Sequence, residues 1–350
     1  MKFLRLAFYV LIAQLVLSGC AGEAVEETSS SSASEINFDA YVGRNASTRS
    51  SETNIDFLKG NAFNAGFGVF ARYNYNGKIL SLLDTEHVTW NKDQNHWEYT
   101  NTRFWPSEGS VDFYAFAPYS DQPKMENFEI VFPANMSPVD LVYAKAEGKT
   151  KADNPVKFTF KHALARLSFE ITANQKLEEN GAVIRVKEVK LYGDKETSGI
   201  FLMQGNLNLK TGGWWPYDNG TRWFYTWTPD GKVEGRDDTL EEQQKKGPIY
   251  KLSAPPQLDH EHDKVTNHDD SYIFIIPQRK PDYFNLKITY TVEQGKFKED
   301  VTVYKDLLKV LPGDSDPYFE GGKAYVFHLI LSLDPVNFKV TTTVDNWGIG

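Results

Sequence analysis

The 350-residue sequence contains one cysteine, Cys20, so no disulfide can form within the chain. Its fold must therefore be stabilised without covalent cross-links, by the burial of apolar side chains. Basic residues are also in deficit: 38 Lys and Arg stand against 47 Asp and Glu, which gives a formal net charge of −9. Because nucleic acids and anionic membranes both attract a surplus of Lys and Arg, this balance argues against either partner.

The chain also lacks the short motifs that commonly carry catalysis. It has no GxSxG turn, no P-loop, no GxGxxG loop and no HExxH pair of zinc ligands. No pair of carboxylates stands out for glycoside hydrolysis, since acidic residues in turns are the ordinary case. No segment after residue 20 is long and apolar enough to span a membrane. We therefore expect neither an enzymatic activity nor a cofactor.

One segment, 258–270 (LDHEHDKVTNHDD), is rich in residue types that bind metals. Two of its histidines are only two positions apart, which fits no helical zinc site and fixes no geometry on a loop. A solvated loop is the better interpretation, so we expect no metal site. A secreted hydrolase or metal enzyme remains the third hypothesis, with these donors: Asp259, His260, Glu261, His262, Asp263 and His268.

The N-terminus has the layout of a secretory signal. A basic head at Lys2 and Arg5 precedes an apolar run, and two small residues come directly before Cys20. The sequence Leu-Ser-Gly-Cys resembles the bacterial lipobox, in which the signal is cut before the cysteine and the thiol is acylated. We expect residues 1–19 to be the signal peptide and Cys20 to be the lipidation site, with its acyl chains anchoring the protein to a membrane.

Residues 20–35 are rich in Ser, Glu and Ala and predict a flexible tether. From Ile36 onward, short runs of alternating apolar and polar residues are separated by turn residues. Period-two alternation indicates antiparallel strands, and Asn76-Gly77 suits a two-residue hairpin turn. The sequence therefore predicts an all-β fold of antiparallel sandwiches. The clearest runs are INFDAYV, GFGVFARYNY, VDFYAFAPY, VIRVKEVKLYG, FNLKITYTVE and KAYVFHLILSL.

The chain is long enough for two domains, each with its own core. The longest polar stretch with Pro and Gly near its middle is 145–156 (KAEGKTKADNPV), which places the boundary near residue 160. We therefore expect an N-terminal sandwich over 36–160 and a C-terminal sandwich over 161–350.

A group of tryptophans in the second half has two interpretations. Exposed aromatic rings stack on sugars, so the group could form a glycan-binding platform. Alternatively, the strand face that carries Trp223, Tyr225 and Trp227 is buried against the opposite sheet, where large aromatics stabilise a core. The residues of the platform would be Trp214, Trp215, Trp223 and Trp227.

Six segments, taken in order, resemble a known family. They are FYAFAPYS (113–120), DLVYAKA (140–146), FKHALARLSFEIT (160–172), YIFIIPQ (272–278), GKAYVFHLILSL (322–333) and VNFKVTTTVDNW (336–347). Together with the lipobox, they resemble the fimbrillin proteins of Bacteroidales, which are lipoprotein precursors of surface fimbriae and are also called type V pilins. The resemblance covers nearly the whole chain after the signal.

The resemblance implies two transthyretin-like β-sandwich domains in tandem. It also implies a precursor held by lipid at the cell outer membrane and then built into surface fimbriae. The expected partners are other fimbrial subunits, of the same or a different kind. A ligand on a host or bacterial surface, and a stalk, tip or anchor position, are left open.

The resemblance further implies assembly by strand exchange. An arginine-specific protease removes the N-terminal strand, and a strand of a neighbouring subunit fills the groove. The exposed polar loop 43–54 contains two candidate cut sites, Arg44 and Arg49, of which Arg49 lies among smaller residues and is preferred. The removable strand would be 36–42, with these side chains pointing inward: Ile36, Phe38, Ala40 and Val42.

The donor would be the C-terminal strand, VNFKVTTTV. Its alternation fits a strand inserted into a partner's groove, and it fits equally well the last edge strand of its own domain. The face that would be inserted carries Val336, Phe338, Val340, Thr342 and Val344.

The leading hypothesis is thus a lipidated fimbrillin precursor that polymerises, or caps a polymer, by strand exchange and catalyses no reaction. The second is a glycan-binding surface lipoprotein of the outer membrane that uses the tryptophan platform.

Overall fold

The computed structural model describes residues 34–43, 53–126, 129–131, 140–173, 183–202, 204–216, 222–223, 225–227, 232–234, 250–251, 264–266, 273–311, 318–332 and 338–347. Glu35–Gly350 belongs to one compact unit. Within the described residues, no helix is long and apolar enough to cross a membrane.

Strands dominate the described residues. A single short α-helix, α1 (Ile55–Leu58), is capped by Asn54, whose side chain accepts the N–H of Phe57. Single 3-10 turns occupy Lys151–Asp153 and Leu307–Lys309. The strands of the first half are β1 (Phe38–Val42), β2 (Phe67–Tyr75), β3 (Lys78–Asn91), β4 (His96–Glu98), β5 (Ser110–Ala117), β6 (Met125–Glu126), β7 (Glu129–Val131), β8 (Val142–Lys149) and β9 (Val156–His162).

The strands of the second half are β10 (Ala165–Ala173), β11 (Val183–Tyr192), β12 (Phe201–Leu202), β13 (Gly205–Asn208), β14 (Trp214–Pro216), β15 (Arg222–Trp223), β16 (Tyr225–Trp227), β17 (Lys232–Glu234), β18 (Tyr250–Lys251), β19 (Lys264–Thr266), β20 (Ile273–Ile275), β21 (Gln278–Arg279), β22 (Asn285–Gln294), β23 (Phe297–Asp306), β24 (Tyr318–Phe319), β25 (Lys323–Leu331) and β26 (Lys339–Asn346).

The first half forms a seven-stranded sheet in the order β1-β9-β8-β5-β2-β3-β4. The sheet curls so that its two ends meet: Glu35 forms an isolated bridge with Phe104, and the N–H of Ile36 donates to the carbonyl of Arg103 at 2.8 Å. The concave side encloses a core rich in aromatic rings. Its largest members are Phe38, Phe67, Trp97, Trp105, Phe113, Phe158 and Phe160.

The second half is a β-sandwich. One sheet has the order β19-β10-β25-β26, with β20 also paired to β10, and the other has the order β18-β17-β16-β11-β22-β23. Alternating side chains of β10, β11, β22 and β25 meet between the sheets and form one apolar cluster. Its central members include Phe169, Ile184, Phe284, Ile288, Tyr290, Phe327 and Leu329.

A third cluster joins the two halves. Strand β13 pairs with β14 on one side and with β7 on the other, and β7 pairs with β6, so a segment of the first half completes a four-stranded sheet with the second. The cluster includes Phe70, Tyr114, Phe116, Ile130, Leu207, Phe274 and Trp347. Because Phe70 and Tyr114 alternate with residues of the first core along β2 and β5, the seven-stranded sheet buries side chains on both faces.

The predicted all-β fold is confirmed. The β2–β3 hairpin turns at Asn76 and Gly77, whose φ angles of 48° and 73° are those that such a turn requires. Most strand pairs are antiparallel, as expected. Two are parallel, β1 with β9 and β10 with β25, and the alternation pattern did not predict them because their partners lie far apart in the sequence.

Candidate assembly site

Strand β1 lies at the edge of the seven-stranded sheet. It pairs in parallel with β9 alone, in a register that sets Phe38 opposite Val156 and Val42 opposite Phe160. Just before the strand, the N–H of Asn37 donates to the side-chain oxygen of Asn154 at 2.8 Å. The strand is therefore bonded along one side, which is the condition for removal without breaking the remaining ladder.

The side chains of β1 alternate as the sequence predicts. Ile36, Phe38 and Val42 are buried and Ala40 is half-buried, whereas Tyr41 is 49% exposed. The Phe38 ring, itself 5% exposed, contacts four other rings at centroid distances between 5.3 and 6.4 Å. Those rings belong to Phe67, Tyr99, Phe113 and Phe158.

The peptide of Ile36 is bonded to the opposite end of the sheet. Its carbonyl accepts the hydroxyl of Tyr99 at 2.9 Å, and that hydroxyl in turn accepts the N–H of Arg103 at 3.1 Å. Burial raises the pKa of the Tyr99 phenol, so the hydroxyl remains protonated and available as a donor at neutral pH. Loss of β1 would leave this donor without its acceptor.

Residues 44–52 of the loop proposed for cleavage lie outside the described residues, and so do both candidate cut sites, Arg44 and Arg49. The chain resumes at Thr53, which is buried. Its N–H donates to Oδ2 of Asp140 at 2.6 Å, and its hydroxyl donates to the Asp140 carbonyl at 2.5 Å. The residue that follows the loop is therefore bonded to β8's N-terminal flank, independently of β1.

The carboxylate of Asp140 also bonds the ring of His162, with 2.9 Å between Oδ1 and Nδ1. The imidazole stacks on the indole of Trp347 at 3.8 Å, and that indole stacks on Phe274 at 5.3 Å. This chain of contacts was not predicted. The sequence signal was a single carboxylate at the start of an apolar run, DLVYAKA, with no indication of its partners.

The proposed donor, β26, is the edge strand of its own sheet. It pairs with β25 alone, from Lys323 opposite Asn346 to Ile330 opposite Lys339. Phe338 is buried, while Val340, Thr342 and Val344 are only half-buried. Val336 and Cys20 lie outside the described residues.

The four tryptophans are distributed over three sheets. Trp214 and Trp215 are consecutive in β14: Trp214 is half-buried, with its Nε1 donating to the carbonyl of Ala163 at 2.8 Å, and Trp215 is 51% exposed. Trp223 belongs to β15, which pairs with β12, and Trp227 belongs to β16, which pairs with β11.

The predicted loop 258–270 falls mostly outside the described residues, including His260, His262 and His268. In the part of the chain that the structure describes, no group of three His, Cys, Asp or Glu side chains is placed to hold a metal ion.

These features define a class: a β-sandwich protein with an edge strand whose apolar face completes an aromatic core. The Fimbrillin-like family matches residues 48–347, and the chain belongs to this family. The family match confirms the resemblance drawn from the six segments.

The chain is also similar in fold to a solved structure. A fimbrial protein from Bacteroides vulgatus superposes with a TM-score of 0.59 at 20% identity, over 89% of this chain and 99% of that one. A protein from Bacteroides uniformis, described as a candidate cell adhesion protein, gives a TM-score of 0.48 at 16% identity, over 89% of this chain and 98% of that one. No curated protein matches the sequence.

Proposed function

We propose that the chain is a subunit of a cell-surface fimbria, made as a precursor that is lipidated at Cys20 and held at the outer membrane. Cleavage at Arg49, or at Arg44, then releases the segment that contains β1. The groove left beside β9 accepts a strand from a neighbouring subunit, and the subunit catalyses no reaction. Membership of the Fimbrillin-like family supports the fimbrial role.

The observation that carries the mechanism is the construction of β1. Among the described strands, Phe38–Val42 pairs with β9 alone, yet its apolar side chains complete the core of the curled sheet. Each large apolar side chain buried in this way contributes about 1.5–3 kcal/mol. Removal of β1 would open an aromatic groove beside an unpaired sheet edge, which favours occupation by another strand.

The fold also provides for the new N-terminus. If cleavage follows Arg49, the mature chain begins only a few residues before Thr53, whose bonds to Asp140 do not involve β1. The remaining strands of the first half are therefore held in place while the groove is empty.

For the donor we propose β26 of the neighbouring subunit. Its inward-facing side chains, Val340, Thr342 and Val344, are less buried than Ile36, Phe38 and Val42 of β1. Leaving its own sheet would also expose Phe338, which is buried, and filling a vacant groove offsets that cost.

The test is to identify the N-terminal residue of the protein sheared from the native cell surface. We expect Ser50 in assembled material and acylated Cys20 in the membrane-bound precursor. Arg49→Ala should abolish the Ser50 terminus, while Arg44→Ala, the matched control in the same loop, should leave it unchanged. Sheared filaments whose subunits still begin at Cys20 would rule out removal of β1.

A further inference from the structure

A cavity of about 360 Å³ lies where the two halves meet. Its wall is formed by the start of β8, the end of β9, the turn between β13 and β14, and the flanks of β21 and β24. The volume falls within the range of pockets that bind small ligands. The cavity is separate from the β1 groove, since none of the β1 residues lines it.

One wall of the cavity is a fixed aromatic ring. The indole of Trp214 is half-buried and cannot rotate freely, because its Nε1 donates to the carbonyl of Ala163 at 2.8 Å. Tyr318, which is 52% exposed, contributes a second ring to the lining. Such rings offer flat, electron-rich faces against which weakly polar C–H groups can pack.

The lining also contributes two polar atoms that make no hydrogen bond to another described residue. The first is Nε2 of His162. The Asp140 carboxylate bonds Nδ1, so Nε2 is the ring nitrogen that remains for a ligand. Stacking on Trp347 fixes the ring plane, and Nε2 therefore has a defined direction.

The second polar atom is the hydroxyl of Tyr143. It lies against Gly212, where an added Cβ would come within 1.9 Å of the hydroxyl oxygen. Gly212 has a φ of 75°, so both its backbone and its lack of a side chain make room for the phenol. Burial raises the pKa of Tyr143, which keeps the hydroxyl protonated as a donor.

The charged residues of the lining restrict the class of ligand that the cavity can bind. No Lys or Arg is among the described residues that line the cavity, whereas the carboxylate residue Glu320 is. An anionic ligand is therefore disfavoured. A fixed aromatic face in the same lining as a phenol hydroxyl and an imidazole nitrogen matches a ring that has C–H groups on one face and hydroxyls at its rim.

We propose that this cavity binds one pyranose residue of a neutral glycan, stacked on Trp214 and hydrogen-bonded by Tyr143 and His162. Only Trp214 of the four sequence-predicted platform tryptophans takes part. A subunit that has not donated β26 keeps Trp347 stacked on His162, so a subunit that fails to polymerise would still contain the site.

The test is saturation-transfer NMR on the full chain in a sugar-free detergent. The probes are the methyl glycosides of glucose, galactose, mannose and N-acetylglucosamine. We expect saturation transfer to at least one glycoside, lost in Trp214→Ala and retained in the control Trp215→Ala. Tyr143→Phe removes only the hydroxyl oxygen and keeps the packing of the ring. Weaker binding in this variant therefore reports a lost hydrogen bond and not misfolding. We expect its affinity for the glycoside to fall about fivefold.

Several outcomes would overturn the proposal. They are the absence of transfer to all four glycosides, equal loss in Trp214→Ala and Trp215→Ala, and unchanged affinity in Tyr143→Phe. If methylindole binds in preference to every glycoside, the cavity is a site for apolar rings. That outcome would also overturn the proposal.

Discussion

The imidazole of His162 and the carboxylate of Asp140 form a buried pair, with 2.9 Å between Nδ1 and Oδ1. The other carboxylate oxygen accepts the N–H of Thr53 at 2.6 Å. Since the His162 ring stacks on Trp347, the pair connects the end of the candidate processing loop with the C-terminal end of β26. Asp140 thus holds together segments that lie far apart in the sequence.

Substitution of Asp140 tests this connection. Asp140→Ala leaves the Thr53 N–H and the His162 ring buried without their acceptor, and we expect a loss of about 3–5 kcal/mol in the free energy of unfolding. Urea denaturation measures the loss. Asp93→Ala, at an exposed turn, is the control and should change stability little. Equal urea midpoints for both variants would contradict the role of Asp140.

Phe38→Ala distinguishes the precursor from the assembled subunit. In the precursor, the substitution removes a ring packed among four others, and we expect a loss of about 3–5 kcal/mol in stability. In the cleaved, assembled subunit, residue 38 is gone, and filaments grown from the variant should melt like those of the parent. Tyr41→Ala, on the exposed face of β1, should alter neither form. A persistent difference between the filaments would show that β1 remains in them.

Much of the fold could be predicted because the alternation of apolar and polar residues along a strand indicates directly which side chains are buried. Phe38–Val42 of INFDAYV and Lys339–Asn346 of VNFKVTTTVDNW form strands β1 and β26, and Asn76-Gly77 forms the hairpin turn. These are local signals: the side-chain period and the tolerance for positive φ are properties of neighbouring residues.

What could not be predicted depends on contacts between distant segments. The parallel pairing of β1 with β9 joins residues 38–42 to 156–160, and alternation says nothing about which strand lies alongside. The contacts among Asp140, His162 and Thr53 could not be predicted either, because none of the three residues stands out within its own segment. The tryptophan group shows the same limit: Trp223 and Trp227 are close in sequence, but β15 and β16 pair with different strands.

The release of β26 from its own sheet can be tested with a disulfide that links it to β25. Val326 and Thr343 are directly opposite in the β25–β26 ladder, at a separation that suits a disulfide. In a Cys20→Ser background, cysteines at these two positions should lock β26 in its own sheet. We expect the oxidised, protease-treated protein to remain monomeric by size-exclusion chromatography and to polymerise after reduction.

A matched control places the disulfide between a different pair of strands. Thr289 and Thr302 face each other in the β22–β23 hairpin, with 3.2 Å between their hydroxyl oxygens. Cysteines at these positions should leave polymerisation equal under oxidising and reducing conditions. If the β25–β26 disulfide also leaves polymerisation unchanged, β26 is not the donor.

The phenol of Tyr114 predicts a loss of stability in alkali. Its hydroxyl donates to Oε1 of Glu147 at 3.0 Å, and its ring is fully buried. The pKa of Tyr114 lies well above its usual value of 10.0. Burial of the phenol is the largest cause, and its bond to the Glu147 carboxylate is the second. The unfolded chain therefore releases this proton near pH 10, while the folded chain retains it.

The sign of the effect follows from proton binding. Where the folded state binds more protons than the unfolded state, stability falls as pH rises, by about 1.4 kcal/mol per pH unit for one group. Tyr114→Phe removes this contribution, so the variant should lose about 1 kcal/mol less than the parent between pH 10 and pH 11. Urea unfolding at both pH values measures the difference, with the exposed Tyr41→Phe as control. Identical pH dependence in parent and Tyr114→Phe would mean that the phenol ionises as readily in the folded chain as in the unfolded one.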